Sequence, residues 1–225
     1  MSYNIRNGKG MDDSTKLDRT AAVILKSSPD ILAVQEIDSV TVRSKQVDVL
    51  KTLAQKVSMH YVFAPAIRFM GGKYGIGMLS KEEPLSSRFL PLPGREEKRA
   101  FLIVEFKDYV YCCTHLSLTP EDQLLSLPII RQALADINKP VFMAGDLNTH
   151  PDSEIISGLE KDFKILTPTN QFTYPAAEAN ETLDYIGVQH KDTANVLVLS
   201  SEVLNEPLAS DHRPVLCTIK LTIDK

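Results

Sequence analysis

Polar side chains gather where apolar runs stop. Ile31-Leu32-Ala33-Val34 gives way to Gln35-Glu36, Tyr111-Cys112-Cys113-Thr114 to His115, and Val141-Phe142-Met143-Ala144 to Gly145-Asp146-Leu147-Asn148. Asn4 interrupts an apolar opening, Asp184 follows Leu183, and Asp211-His212 stand between Ser210 and Pro214. Asp146 and Asn148 are two positions apart, so an extended backbone aims both to one side. Asp211 and His212 are adjacent and converge only in a loop. Carboxylates and carboxamides without cysteine suit a hard, oxygen-preferring cation such as Mg2+ or Mn2+, whereas zinc more often recruits several His or Cys.

Each residue also has an ordinary explanation. Glu36 could cap a helix or sit solvated, and Asp146-Leu147-Asn148 could be an Asx-turn capping a helix after Pro151. His115 beside a strand reads as structural when taken alone, as do His60, His150 and His190. Asp184 could satisfy a buried backbone group, and Arg99 could be a surface charge ahead of a strand. Asn4 is harder to dismiss, because a buried amide needs partners. Taken together, polar residues at so many strand ends point to one site, since ligand sites in layered α/β folds form there.

Periodicity and stop signals indicate the elements that position them. Asp12-Asp13-Ser14 offers N-caps for a helix carrying Leu17, Ala21, Ile24 and Leu25, which Ser27-Ser28-Pro29 ends. Val47, Leu50, Ala54 and Val57 mark a second helix, and Thr119-Pro120-Glu121-Asp122 opens a third that Pro128 bends or interrupts. Strands are expected at 31–34, 60–66, 74–80, 101–106, 109–114, 141–144, 183–188, 195–199 and 215–221. Helices alternating with hairpins predict mixed sheets, at least two of them, in one α/β domain over 1–225.

Composition excludes several classes. Lys+Arg number 25 against 29 Asp+Glu, a net charge of −4, so this is no basic nucleic-acid wrapper. Hydrophobic residues at 43% are enough for a sizeable core. No run approaches the roughly 18 apolar residues of a membrane helix. Three cysteines, two of them adjacent, read as core thiols rather than a disulfide framework. No charged leader precedes an apolar segment, and Met1-Ser2-Tyr3-Asn4-Ile5 already reads as a strand, so localisation stays open between cytoplasmic and exported with an upstream leader removed.

The order of motifs resembles the endonuclease/exonuclease/phosphatase family of metal-dependent phosphoesterases. It runs from Ser2-Tyr3-Asn4 through Pro29-Asp30-Ile31-Leu32-Ala33-Val34-Gln35-Glu36, Thr114-His115-Leu116, Gly145-Asp146-Leu147-Asn148 and Leu183-Asp184-Tyr185-Ile186 to Ser210-Asp211-His212-Arg213-Pro214-Val215. The stretch from Arg43-Ser44 through Gly71-Gly72-Lys73-Tyr74-Gly75 is similar to compact bacterial members. The resemblance implies a four-layer α/β sandwich, two mixed sheets face to face with helices outside. It implies that Glu36 is the principal metal ligand, with Asn4 and Asp211 completing the cluster. Asp146 would orient or deprotonate the attacking water, and Asn148 would hold that water and a phosphate oxygen. His212, held by Asp184, would contact the phosphate and move a proton, and His115 would donate to a phosphate oxygen. Two departures stand out. Tyr74-Gly75-Ile76 replaces the usual Tyr-Gly-Asn, and Arg6 stands where several nuclease members carry an acid, which counts against a second metal.

The leading expectation is a monomeric hydrolase of phosphodiesters or phosphomonoesters on a small-molecule or lipid-headgroup substrate. A nuclease acting on DNA or RNA is the alternative, and a non-catalytic binding module on the same fold is the third reading. Lys73, Arg88, Arg95, Lys98 and Arg99 form a candidate anion-binding rim, with Arg99 nearest the phosphate.

Overall fold

The computed structural model describes residues 1–222, so residues 223–225 of the expected domain lie outside the described residues. Strands numbered along the chain form two six-stranded sheets. The first runs, in spatial order, β11 (Val196–Val203), β12 (Val215–Leu221), β1 (Ser2–Asn4), β2 (Ile31–Ser39), β4 (Gly72–Ser80) and β3 (His60–Phe69). The second runs β5 (Ser86–Leu92), β6 (Arg99–Glu105), β7 (Val110–His115), β8 (Val141–Asp146), β10 (Asp184–Gln189) and β9 (Phe163–Ile165). Among the described residues only β1 with β2 and β7 with β8 pair in parallel. A parallel pair needs a long crossover, and here each has a helix: α1 (Leu17–Ser27) in the first sheet and α3 (Pro120–Leu134) in the second.

Three apolar layers hold the four-layer sandwich together. Ala21, Ile24 and, from α2 (Val49–Val57), Leu50 and Leu53 pack on Tyr3, Leu32 and Val34. Leu127 and Ile130 of α3, with Ile155 and Ile156 of α4 (Glu154–Leu159), pack on Cys112, Val141 and Met143. Between the sheets lie Ala33, Met78, Leu102, Cys113, Phe142, Ala144 and Ile186. Burial of this apolar surface, worth roughly 25 cal/mol per Å2, drives the assembly.

Strand parity then decides where the polar residues point. Phe142 and Ala144 face the inter-sheet layer while Val141 and Met143 face helices, so Asp146 closes the inward series. His115 likewise follows Tyr111 and Cys113, Asp184 precedes Ile186 and Val188, and Asn4 alternates with the outward Tyr3 and Ile5. By the same rule Glu36 should face outward. It does not, because β2 carries a bulge: Val34 and Ile37 both pack outward, leaving Gln35 and Glu36 together on the inner side. Glu36 adopts φ +59° to do so, a left-handed conformation that costs a non-glycine residue on the order of 1–3 kcal/mol.

Several expectations need correction. Asp12-Asp13-Ser14 does not cap α1; Lys16 stands there without a side-chain cap, and Asp12 accepts instead from Ser14 N and Arg19 Nη2. The second helix starts after Asp48, whose carboxylate accepts from Lys51 N. Pro128 does not interrupt α3, because the apolar anchors on both sides of it keep the helix against the sheet. β5 and β9 were not anticipated: β5 is an edge strand with exposed residues and Pro91, and β9 is three residues long. All three cysteines are free thiols.

Candidate active site at the seam between the sheets

The end of the sandwich where β1, β2, β7 and β8 finish opens into a cleft of about 480 Å3. Asp146 is its hub. The carboxylate oxygen Oδ2 accepts from Asn4 Nδ2 at 3.0 Å and lies 3.5 Å from His115 Nε2 and 3.6 Å from His212 Nε2. Its Oδ1 accepts the Asn148 N–H at 2.9 Å, an Asx-turn with Asn148 at φ +50°. The Asx-turn was expected to cap the helix after Pro151; the turn is there, but Ser153 caps α4 instead. Asn148 Nδ2 donates to Leu116 O at 2.9 Å, fixing the loop after β7 to the loop after β8.

Two histidines share this carboxylate yet carry different charges. His212 Nδ1 donates to Asp184 Oδ2 at 2.9 Å. Burial alone lowers its pKa, but the charges of Asp184 and Asp146 and the Asp184 hydrogen bond overcome that and lift it to about 10. His115 has no second carboxylate. Burial dominates there, with Arg99 and His212 adding to it against Asp146, and the pKa falls to about 4. At neutral pH His212 is therefore a cation and His115 a neutral ring with one N–H to give. The Tyr174 ring lies 4.8 Å from the His212 ring, a contact that favours the cationic form. Ser210 solves the adjacency of Asp211 and His212: its Oγ donates to Asn4 O at 2.7 Å, pinning their loop to β1.

Asn4 also donates to Glu36 Oε1 at 3.0 Å, while its own oxygen accepts from Arg6 N. The Arg6 N–H thus fixes the amide orientation, and Asn4 turns nitrogen rather than oxygen towards the two carboxylates. It clamps Glu36 to Asp146. Glu36 is pushed up in pKa, first by burial and then by the charges of Asp211 and Asp146, against the Asn4 hydrogen bond. Arg6 Nε lies 3.2 Å from Asp211 Oδ2, so a fixed cation already sits beside that acid.

Of the expected basic rim only Arg99 lines the cleft. Arg88 donates to Ala133 O and Arg95 is spent on Asp122. Arg99 is 6% exposed, not a surface charge; its Nη2 reaches Glu96 Oε1 at 3.1 Å and its Nη1 lies 3.4 Å from Glu97 Oε1. Sequence reasoning missed Glu97, Leu118, His150, Tyr174 and Glu181, which also line the cleft with Tyr74, known beforehand only as part of a motif block. His150 had been read as structural. Nothing in local spacing marks Glu97, Leu118, His150, Tyr174 or Glu181, because loops remote in sequence deliver them, whereas Tyr74 comes from β4.

The donor chemistry fits a metal ion. Asp146, Asp184 and His212 offer ligand atoms within 4.8 Å of one another, so this buried group could hold one. As arranged, however, the imidazole already bridges both aspartates. Glu36, Asp211 and Asp146 offer oxygen donors near enough that, after burial, the charges of the other two raise the Glu36 pKa, and oxygen donors are what a hard cation prefers.

A second cavity, of about 450 Å3, lies at the opposite end of the sandwich among Met1, Tyr111, Phe142, Ile186 and Ile219, and none of the candidate residues lines it. No helix among the described residues is long and apolar enough to cross a membrane.

A model of the Endonuclease/Exonuclease/phosphatase family matches residues 1–212. No curated protein matches the chain by sequence. Among solved structures, the endonuclease/exonuclease/phosphatase from Bacteroides vulgatus superposes with a TM-score of 0.80 at 21% identity, covering 98% of this chain and 97% of that one. A mannosyl-6-phosphatase from Bacteroides thetaiotaomicron gives 0.76 at 14% identity over 97% of each chain. The human Nocturnin catalytic domain with bound sulfate gives 0.72 at 18% identity, over 98% of this chain and 92% of that one. At such identities the structural likeness is one of fold.

Proposed function

Because the chain belongs to the endonuclease/exonuclease/phosphatase family, whose members hydrolyse phosphoester bonds, we propose that it is a divalent-metal-dependent hydrolase of a small phosphorylated molecule or lipid headgroup. A monomer of one domain suffices for this reading, because one chain supplies every group named at the seam. The observation that carries this reading is the convergence on Asp146 Oδ2 of Asn4, His115 and His212, with Glu36 one hydrogen bond away across Asn4.

Mg2+ or Mn2+ held by Glu36 and Asp211 would supply positive charge to the non-bridging phosphoryl oxygens. The chain's own residues do the rest. Asp146, anchored through Oδ1 by the Asn148 N–H, orients the attacking water and takes its proton through Oδ2. Asn148 holds that water through its side-chain oxygen, which its Leu116 contact leaves free. His212, cationic and aligned by Asp184, contacts the phosphoryl group and is the proton donor to the departing oxygen. His115 and Arg99 give hydrogen bonds to phosphoryl oxygens as charge develops, the kind of preorganised stabilisation that costs no rearrangement during reaction. The mannosyl-6-phosphatase named above and the net charge of −4 support a small substrate over nucleic acid.

The test is hydrolysis of 4-nitrophenyl phosphate and bis(4-nitrophenyl) phosphate with Mg2+ or Mn2+, beside plasmid DNA in the same buffer. Turnover of a nitrophenyl ester that chelator abolishes is expected, at a rate exceeding plasmid nicking. Efficient nicking at physiological salt with no small-ester turnover would put the nuclease reading first. Inactivity on all three would favour a binding module.

A further inference from the structure

Adjacent glutamates on the β5–β6 connection behave in opposite ways. Glu96 is saturated: its carboxylate accepts from Ser117 Oγ, Leu118 N, Thr119 Oγ1 and Arg99 Nη2, and these bonds hold it at a pKa of about 2 against the effect of burial. It positions Arg99 and the loop after β7. Glu97 lines the cleft, is half-buried, and its carboxylate accepts no hydrogen bond among the described residues; its contact is the ion pair with Arg99 Nη1 at 3.4 Å. Glu181, which also lines the cleft, repeats the pattern, with His150 Nε2 at 3.6 Å and no hydrogen bond to its carboxylate among the described residues.

An ionised carboxylate has about four lone-pair sites and accepts only, so both glutamates present acceptor capacity that the protein leaves unspent. Arg99 lines the cleft as a guanidinium that is 94% buried, its Nη2 held by Glu96 and its Nη1 beside Glu97, with Nε buried and without a hydrogen-bond partner. A cleft with one such anion-binding side chain and two idle acceptors at its mouth is complementary to a single phosphoryl group carried on something rich in donors. A polynucleotide fits badly. Its charges recur along the strand every few ångströms, and flanking phosphates would meet Glu97 or Glu181.

We propose that Glu97 and Glu181 are specificity-determining residues that read hydroxyl groups on the organic part of a singly phosphorylated polyol, free or as a lipid headgroup, and turn away polyanions. This rests on the phosphoester-hydrolase reading and deepens it. The polyol hydroxyls donate to the glutamates while Arg99 and His115 take the phosphoryl oxygens.

Full-length wild type, Glu97→Gln and Glu181→Gln are compared on a hexose 6-phosphate, on phosphatidylinositol 4-phosphate in phosphatidylcholine vesicles, on 4-nitrophenyl phosphate and on a 5′-phosphorylated trinucleotide. In wild type, kcat/KM for one of the two polyol esters should exceed that for the trinucleotide at least tenfold; which of the two is faster tells the free from the lipid-borne source. Each variant should lose at least tenfold more on the polyol ester than on 4-nitrophenyl phosphate, and should gain on the trinucleotide. Calorimetry on metal-free protein gives a readout free of turnover: hexose 6-phosphate should bind more tightly than inorganic phosphate, and each Gln variant should narrow that ratio. Equal losses on every ester, or an unchanged binding ratio, overturn the proposal. Loss of turnover on 4-nitrophenyl phosphate in wild type refutes the hydrolase reading instead, and the binding ratio still decides the part played by the two glutamates.

Discussion

Asp184→Asn isolates what the buried aspartate does for His212. The amide fills the same space but brings no charge, so the leading force that raises the imidazole above its ordinary value is removed while burial, which lowers it, stays. With a pKa of about 10 the ring is cationic throughout the neutral range; at the ordinary value of about 6.5 only about one-tenth would be protonated at pH 7.5. Loss of charge alone therefore predicts an approximately tenfold fall in kcat at that pH. Loss of orientation adds to this, up to the ~10²–10⁴-fold that general acid–base help is worth. A kcat profile on 4-nitrophenyl phosphate separates the two, because acidification towards pH 5.5 restores the charge but not the alignment. Nitrogen NMR of the metal-free protein reports the ring directly. The linkage has a definite sign: a folded-state value raised from 6.5 to about 10 gives stability that is complete below the lower figure and lost as pH climbs through the higher. Asp184→Asn should flatten that alkaline decline. A variant whose His212 still titrates near 10, with kcat at pH 7.5 unaltered, would refute the assignment.

Glu36→Gln keeps shape and removes a charge, so Mg2+ or Mn2+ affinity measured by calorimetry should fall at least tenfold and turnover should collapse; unchanged affinity would place the ion elsewhere. Asp146→Asn should lose at least ~10²-fold in kcat while staying folded by circular dichroism, and near-normal turnover would reduce Asp146 to an Asx-turn. His212→Ala combined with Asp184→Ala should cost no more than the larger single loss, since both act through one imidazole; losses that multiply would show two independent groups. Gly145→Ala would bring a Cβ to 2.1 Å from Thr114 O in the neighbouring strand, so a loss of about 1–3 kcal/mol in denaturant unfolding is expected, and a neutral result would mean β7 and β8 can part without penalty.

Much of this site was legible because parity is legible. Asn4, His115, Asp146 and Asp184 each continue or begin an inward alternation on a buried strand, and Val, Ile, Phe and Ala around them announce that burial. Glu36 was found for a less secure reason: the apolar run 31–34 ended before it, whereas β2 continues to Ser39, and only the bulge puts Glu36 inside. The basic rim failed because charge in a sequence carries no partner; Arg95 belongs to Asp122 and Arg88 to a helix carbonyl. Glu97, His150 and Glu181 stayed hidden because they face the cleft from loops, where spacing has no period. β5 hid behind Ser86, Ser87 and Arg88, whose exposure at an edge erases the apolar alternation.

The seam has a mechanical side. Just below the site Gln35, from the first sheet, donates to Cys113 Sγ of the second at 3.4 Å and to Ser2 Oγ at 3.2 Å. Asn4 and Asp146 meet the same way, one from each sheet. The reactive arrangement is therefore a gauge of how the two sheets are seated on each other, and each sheet can keep its own ladder of backbone bonds while that seating slips. On warming, turnover should fade at a lower temperature than far-ultraviolet circular dichroism, with near-ultraviolet signals from Tyr109 and Tyr111 of the inter-sheet layer following the activity and not the backbone.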